Sequence, residues 1–342
     1  MRLKIFSIGS FNLLNLNAAG LPMYGKPGLS EEQLSRKVAW TAGMLDLARA
    51  DVFAVQELWH PAPLQLALDA AGLGADHVLL APPDLKGTRI ACAAIVRRDL
   101  LDGEPEWITK FPEGLRLQSS GDDEQTAAIA VKIDSFSRPV LHLRIKPRSD
   151  RLPIHVFVCH FKSKGPTKVF KEEWFDEDPD LYKPHAEALG AALSTIRRTA
   201  EATALRVILN GIMKKTDEPV LVLGDLNDDH NSNTLNIMTE QPVFLRPLAT
   251  GGRDTALYSG QALQEFMSQK DVYYTYIHNG VHGSLDHILV SEQFYANSRK
   301  RVWNFDGLDV YNDHLNDAEN PVRHGTNDHG VIRARFVYAP AR

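Results

Sequence analysis

The chain has 342 residues, 44% of them apolar, which is ordinary for a protein that buries a core. A formal charge of −5 excludes a protein that grips a phosphate polymer through overall positive charge, so any such partner would need a local basic patch or a metal. The two cysteines, Cys92 and Cys159, lie in apolar runs, which excludes a disulfide framework, and no Cys/His zinc spacing is present.

Taken in order, Leu3 to Leu14 begins as a strand and ends among Asn12, Asn15 and Asn17, which are poor strand formers. No apolar leader precedes it and no stretch is long enough to span a membrane, so the expected location is cytoplasmic, or secreted if a leader has been removed. Gly20 to Gly28 reads as loop. Ser30 followed by Glu31, Glu32 and Gln33 predicts a capped helix, leading to a buried strand, Asp51 to Val55, that ends in Gln56-Glu57. A helix over Pro63 to Ala71 and strands over His77 to Ala81 and Ile90 to Val96 follow. Leu100 to Ala127 carries little periodicity.

Thr126 to Ile133 and Val140 to Ile145 read as a strand pair turning at Ser137-Arg138-Pro139, and Ile154 to Cys159 as a strand ending at His160. Thr167 to Pro184, rich in charge and aromatics, reads as an insertion. A long helix from His185 to Met213 hands over to the strand Pro219 to Leu223, which stops at Gly224-Asp225-Leu226-Asn227. Asp228, Asp229 and His230 then read as caps for a helix over Leu235 to Gln241. Val272 to Ile277 and Leu285 to Val290 read as strands, Asp306 to Gly325 as a second, acidic insertion, and Val331 to Val337 as the last strand after Asn327-Asp328-His329-Gly330. Short antiparallel connections mixed with helices favour two packed sheets over one parallel sheet. With no repeat or linker, one domain over 1–342 with insertions at 166–184 and 306–325 is the simplest organisation.

Six strands thus adjoin compact polar groups: Asn12, Gln56-Glu57, His160, Asp225 with Asn227, Asp286-His287, and Asp328-His329. One such group is a turn; six imply a shared rim. Glu57, Asp328 and Asn12 offer hard oxygen donors suited to Mg2+ or Mn2+. His160 and His329 can donate to an anionic oxygen or move a proton near neutral pH. Carboxylates Asp225 and Asp286 can serve a water and orient an imidazole. Together these suit hydrolysis of a phosphoric ester.

The runs Phe11-Asn12, Gln56-Glu57, Val158-Cys159-His160-Phe161-Lys162-Ser163-Lys164-Gly165, Gly224-Asp225-Leu226-Asn227, Ser284-Leu285-Asp286-His287 and Asn327-Asp328-His329 resemble the ordered motif set of the endonuclease/exonuclease/phosphatase superfamily, the fold of deoxyribonuclease I. The resemblance spans Leu3 to Val337. It implies an α/β, four-layered sandwich of two mixed, mainly antiparallel sheets flanked by helices, and a metal-dependent hydrolase. Its implied roles are Glu57 as principal metal ligand with Asn12 and Asp328, Asp225 serving the attacking water, Asn227 on a phosphate oxygen, and Asp286 orienting His329. His160 stands where deoxyribonuclease I and neutral sphingomyelinases also have histidine and apurinic endonucleases have asparagine, and Leu14 stands where repair members carry an acid. Both tilt the resemblance away from abasic-site repair and toward one metal ion. Arg89, Lys162 and Lys164 are the expected substrate contacts, and His287 is expected to pack. The expected activity is cleavage of phosphodiesters in a nucleic acid; a small-molecule or lipid phosphoester is the rival substrate, and a non-catalytic binding member the rival class. No protein partner is evident.

Overall fold

The computed structural model describes residues 1–121, 125–242, 254–268, 273–317 and 320–341. The chain enters on β1 (Ile5–Leu16) and crosses through α1 (Glu31–Ala48) to β2 (Val52–Leu58), which pairs parallel to β1. The α1 start is the expected one: Ser30 accepts from the Gln33 N–H, and Gln33 caps back to Ser30. Then come α2 (Pro61–Ala70), β3 (His77–Leu80) and β4 (Ala91–Arg97). The second sheet begins with β5 (Glu106–Lys110), followed by a separate hairpin of β6 (Leu117–Ser119) and β7 (Ile129–Val131). It continues with β8 (Ser135–Ile145), β9 (Ile154–His160), α3 (Pro179–Tyr182), α4 (Ala186–Met213) and β10 (Val220–Asp225), parallel to β9. The remaining elements are α5 (Asn233–Thr239), β11 (Tyr258–Ser259), α6 (Gly260–Met267), β12 (Tyr276–His278), β13 (Val281–Gly283), β14 (Asp286–Val290), β15 (Trp303–Tyr311), α7 (Pro321–His324) and β16 (Val331–Tyr338).

Two six-stranded sheets result, ordered β15-β16-β1-β2-β4-β3 and β11-β14-β10-β9-β8-β5. Their facing sides bury one apolar cluster that includes Ile8, Val52, Val156, Leu223 and Phe336. The outer face of the first sheet is covered by α1 and α2 around Leu45, Phe53 and Leu64, and that of the second by α4 and α5 around Leu205, Val222 and Leu235. This is the expected four-layered sandwich.

Each sheet contains one parallel pair with antiparallel neighbours on either side. Parallel strands end at the same edge, and an antiparallel neighbour begins there. Asn12, Glu57, His160 and Asp225 therefore sit toward the C-terminal ends of β1, β2, β9 and β10, while Asp286 opens β14 and His329 lies just before β16.

Three expectations are corrected. Ser137-Arg138-Pro139 is not a turn: β8 runs through it, pairing with β5 and β9, while β7 pairs with β6. Proline is tolerated because it falls where the β5–β8 register shifts, between Ile108 and Lys110, and the ladder needs no N–H. Asp306 to Tyr311, expected as the start of an insertion, belongs to β15; Asp309 pairs with Arg333 directly across on β16 and with Arg335. Finally, Ser232, not Asp228 to His230, caps α5. Of the segment expected over Val272–Ile277, Val272 lies outside the described residues, as do Ala318 and Glu319 of the second acidic stretch.

Candidate active site

The end of β10 shows why this sequence folds as it does locally. Gly224 has φ +136°, and a Cβ there would come within 2.0 Å of the Cys159 carbonyl oxygen. Only glycine lets β10 approach β9 this closely, which sets Asp225 directly opposite both His160 and Asp286 in the ladder. Asn227 then turns at φ +54°, donating its N–H to Asp225 Oδ1 at 2.8 Å and its Nδ2 to the Phe161 carbonyl at 3.0 Å. On β2, Glu57 sits at φ +59°, a left-handed conformation that a non-glycine residue adopts at a cost. Its Oε2 accepts the Asn15 N–H at 3.0 Å.

The six groups converge. Asn12 Nδ2 lies 3.4 Å from Glu57 Oε1 and 3.1 Å from Asp225 Oδ2. His160 Nε2 is 3.6 Å from Asp225 Oδ2 and 3.9 Å from Glu57 Oε1. His329 bonds Asp286 Oδ2 through Nδ1 at 2.8 Å and places Nε2 4.0 Å from Asp225 Oδ2. All but the part-exposed Glu57 and Asp328 are buried.

Electrostatics separates the two imidazoles. Burial, with Arg138 and His329 nearby, holds His160 well below the ordinary histidine value, so it is neutral. Burial works against the charge of His329 too, but Asp286 and Asp225 outweigh it and hold the ring well above that value. Burial pushes Asp225 up to about 7, opposed by His329 and helped by Asp286 and Glu57. The rim thus offers an imidazolium, a neutral imidazole and a carboxyl group poised near neutrality.

A model of the Endonuclease/Exonuclease/phosphatase family matches residues 9–314. The chain belongs to this family. Members of the endonuclease/exonuclease/phosphatase family are hydrolases of phosphoester bonds and are generally dependent on a divalent metal. Among solved structures, D. rerio TDP2 complexed with single-strand DNA product is 15% identical over 97% of this chain and 98% of its own, with a TM-score of 0.52. The human Nocturnin catalytic domain with bound sulfate is 13% identical over 99% and 96%, with a TM-score of 0.53. The mannosyl-6-phosphatase of Bacteroides thetaiotaomicron is 13% identical over 97% and 100%, with a TM-score of 0.50. At these identities the likeness is one of fold. No curated protein sequence matches the chain.

The family's metal finds a donor set in the residues present. Asp328 Oδ1 is buried without a hydrogen-bond partner, and Glu57 is pushed up by burial and by Asp328 against the pull of His329. Two neighbouring carboxylates, one with an orphaned oxygen, fit a hard divalent cation. Atoms of Asp225, Asp286 and His329 also lie within 4.8 Å of one another. That trio is already accounted for by the His329–Asp286 hydrogen bond, which a metal on Nδ1 would break. Asn12 Oδ1 accepts the Leu14 N–H at 3.0 Å, and its Nδ2 bridges the carboxylates of Glu57 and Asp225. The first contact is local, since Leu14 at φ +47° folds its N–H back onto Asn12.

A cleft of about 780 Å³ is lined by Lys86, Arg89, Arg138 and Lys162, by Tyr24 and Trp59, and, among the described residues, by no Asp or Glu. The charges of Arg138 and Glu57 act on Tyr24, and that of Arg138 on His160, which puts the cleft beside the rim. Two expected contacts, Arg89 and Lys162, are therefore in the cleft, although Arg89 also pairs with Asp84 at 2.7 Å. Lys164 is not among its lining residues; it pairs with Asp229 and with Asp228 at 3.4 Å. No described residue of 166–184 or 306–325 lines it. Trp174, Phe175 and Tyr182 cluster on one another instead, and Thr167 is bonded to Gly190 and Ser194 of α4. His287 packs as expected, 2.8 Å from the Asp228 carbonyl.

Sequence reasoning missed Arg138, hidden in a Ser-Arg-Pro taken for a turn, and Tyr276, whose ring lies 5.0 Å from that of His329. It also missed Lys37, buried beneath the rim and lowered to about 7 by that burial, against the pull of Asp328 and Glu57. Lys37 left a trace: it stands in register with buried Thr41 and Leu45 on α1, where an apolar residue is the rule.

Proposed function

We propose that this chain is a phosphodiesterase dependent on Mg2+ or Mn2+ that cleaves a nucleic-acid strand, DNA or RNA. The cleft carries the reading. Among the described residues, four cationic side chains and no carboxylate line a space beside the catalytic rim, in a chain whose overall charge is −5. Such a local basic strip tracks one phosphate backbone, whereas a single phosphate on a small or lipid ester would engage only part of it. Tyr24, 65% exposed, offers a ring edge-on to Trp59 at 5.0 Å, a platform on which an unpaired base can stack.

A divalent cation held by Glu57 and Asp328 would supply charge to the phosphoryl oxygens. Asp225 receives the proton of the attacking water, and Asn12 and the Asn227 N–H hold Asp225 in place. Protonated His329, oriented by Asp286, donates from Nε2 to a phosphoryl oxygen, and neutral His160 donates to a second. The P–O bond opposite the incoming water breaks, and the departing sugar oxygen takes a proton from solvent, to which Asp225 returns its own. Arg138 and Lys162 bind the adjoining phosphates.

The test compares a single-stranded oligonucleotide with a small synthetic diester between 50 and 200 mM salt. If all four cations engage, oligonucleotide kcat/KM falls roughly 50-fold over that range while the small diester changes little. An oligonucleotide left intact at every salt concentration, beside a hydrolysed small diester, would overturn the nuclease reading.

A further inference from the structure

Lys37 lies in the middle of α1 and is 4% exposed. Among the described residues no carboxylate oxygen is within 4.0 Å of its ammonium, an unusual state for a buried lysine. Its Nζ donates instead to the Thr326 carbonyl at 2.8 Å and to Asn327 Oδ1 at 3.3 Å. Asn327 in turn donates through Nδ2 to the backbone carbonyl of Asn12. The backbone of α1 reaches the same loop from the other side: Gly325, at φ +72°, packs so closely that a Cβ would meet Arg36 and Lys37 at 2.7 to 2.8 Å. Lys37 therefore connects three things: the helix, the segment just before Asp328 and His329, and the strand end bearing Asn12.

An apolar side chain would fill this helix position with less desolvation, so the ammonium is retained for where it points. We propose that Lys37 is a positioning residue for the metal-holding loop, fixing Thr326 and Asn327 so that Asp328 faces Glu57 and His329 faces Asp225. It touches neither substrate nor reacting atoms, and its role rests on the metal-dependent reading above.

The experiment measures metal binding without turnover, as the rise in Tm on adding Mg2+ alone, beside the Mg2+ dependence of turnover on a small diester. Lys37→Met is compared with Leu34→Ala, which loosens the same helix against the core and removes no side-chain hydrogen bond. For Lys37→Met the Mg2+ midpoint rises about tenfold in both readouts, with kcat at saturating Mg2+ within about threefold of wild type. Leu34→Ala lowers Tm but keeps the wild-type midpoint. If Lys37→Met does not fold, Asn327→Ala carries the same expectation, because it removes one acceptor of the ammonium and the tie to Asn12. A wild-type midpoint in the variant that folds, or an equal shift in Leu34→Ala, overturns the proposal. A wild type that shows neither a Mg2+-dependent Tm nor metal-dependent turnover defeats the metal reading itself, and this proposal with it.

Discussion

Asp286 shows most directly how a single side chain sets the chemistry of another. Its carboxylate is the nearest partner of His329 and the leading influence that keeps that ring charged against the effect of burial. Asp286→Asn keeps the volume but removes the charge, so kcat on a small diester falls by roughly 10² to 10⁴, the range spanned by loss of one acid–base group. Circular dichroism and Tm separate this loss from misfolding. At Glu57 the backbone adds a second expectation. Glu57→Gly relieves the left-handed strain and removes a half-buried carboxylate from beside Asp328, so activity is abolished while Tm stays level or rises. The individual groups of the rim were legible because each polar residue follows or precedes an apolar run too short to be anything but a strand. Arg138 and Lys37 were not, because each belongs to an element whose local pattern points elsewhere: a proline beside the first, a helical core stripe around the second. Lys164 was legible only as a charge; its pairing with Asp228 and Asp229 depends on folding.

Elements tell a similar story about what local sequence carries. The strand over Pro219 to Leu223 and the long helix α4 are fixed by runs of apolar residues and were read to within two residues at each end. β15 was not, because Asp306, Gly307 and Asp309 look like loop until β16 sets Arg333 across from Asp309 and Arg335 reaches the same carboxylate. A cross-strand ion pair is a property of two strands, and a single stretch of sequence cannot display it. The same dependence gives a prediction at Gly224. Gly224→Ala forces the new Cβ into the Cys159 carbonyl and must part β9 from β10, costing about 3 kcal/mol or more in urea denaturation. Because His160 and Asp225 face each other across that pair, activity falls further than the lost stability accounts for.

For the molecule as a whole, the pH response of stability has a source far from the rim. His142 stacks on Phe157 with ring centroids 4.3 Å apart and meets His155 Nδ1 through Nε2 at 2.9 Å. Burial, then the charges of His155 and Arg144, lower it from 6.5 to about 4; Glu218, 3.4 Å from His155, acts on the second ring. A folded value below the unfolded one means that the contribution is complete above about pH 6.5 and is lost as pH falls toward 4. Its ceiling is roughly 3 kcal/mol. Urea midpoints at pH 7.5 and pH 5 measure it: wild type loses more over that interval than His142→Phe, which keeps the stack and cannot take the proton.

The two parallel strand pairs, one per sheet, carry a last consequence. Each layer holds an incomplete share of the chemistry. The first brings Glu57, Asn12 and, through the chain's return in β16, His329; the second brings His160, Asp225 and Asp286. Hydrolysis therefore reports on whether the layers are seated against each other, and any perturbation that slides one past the other by even an ångström extinguishes catalysis while both remain intact as sheets.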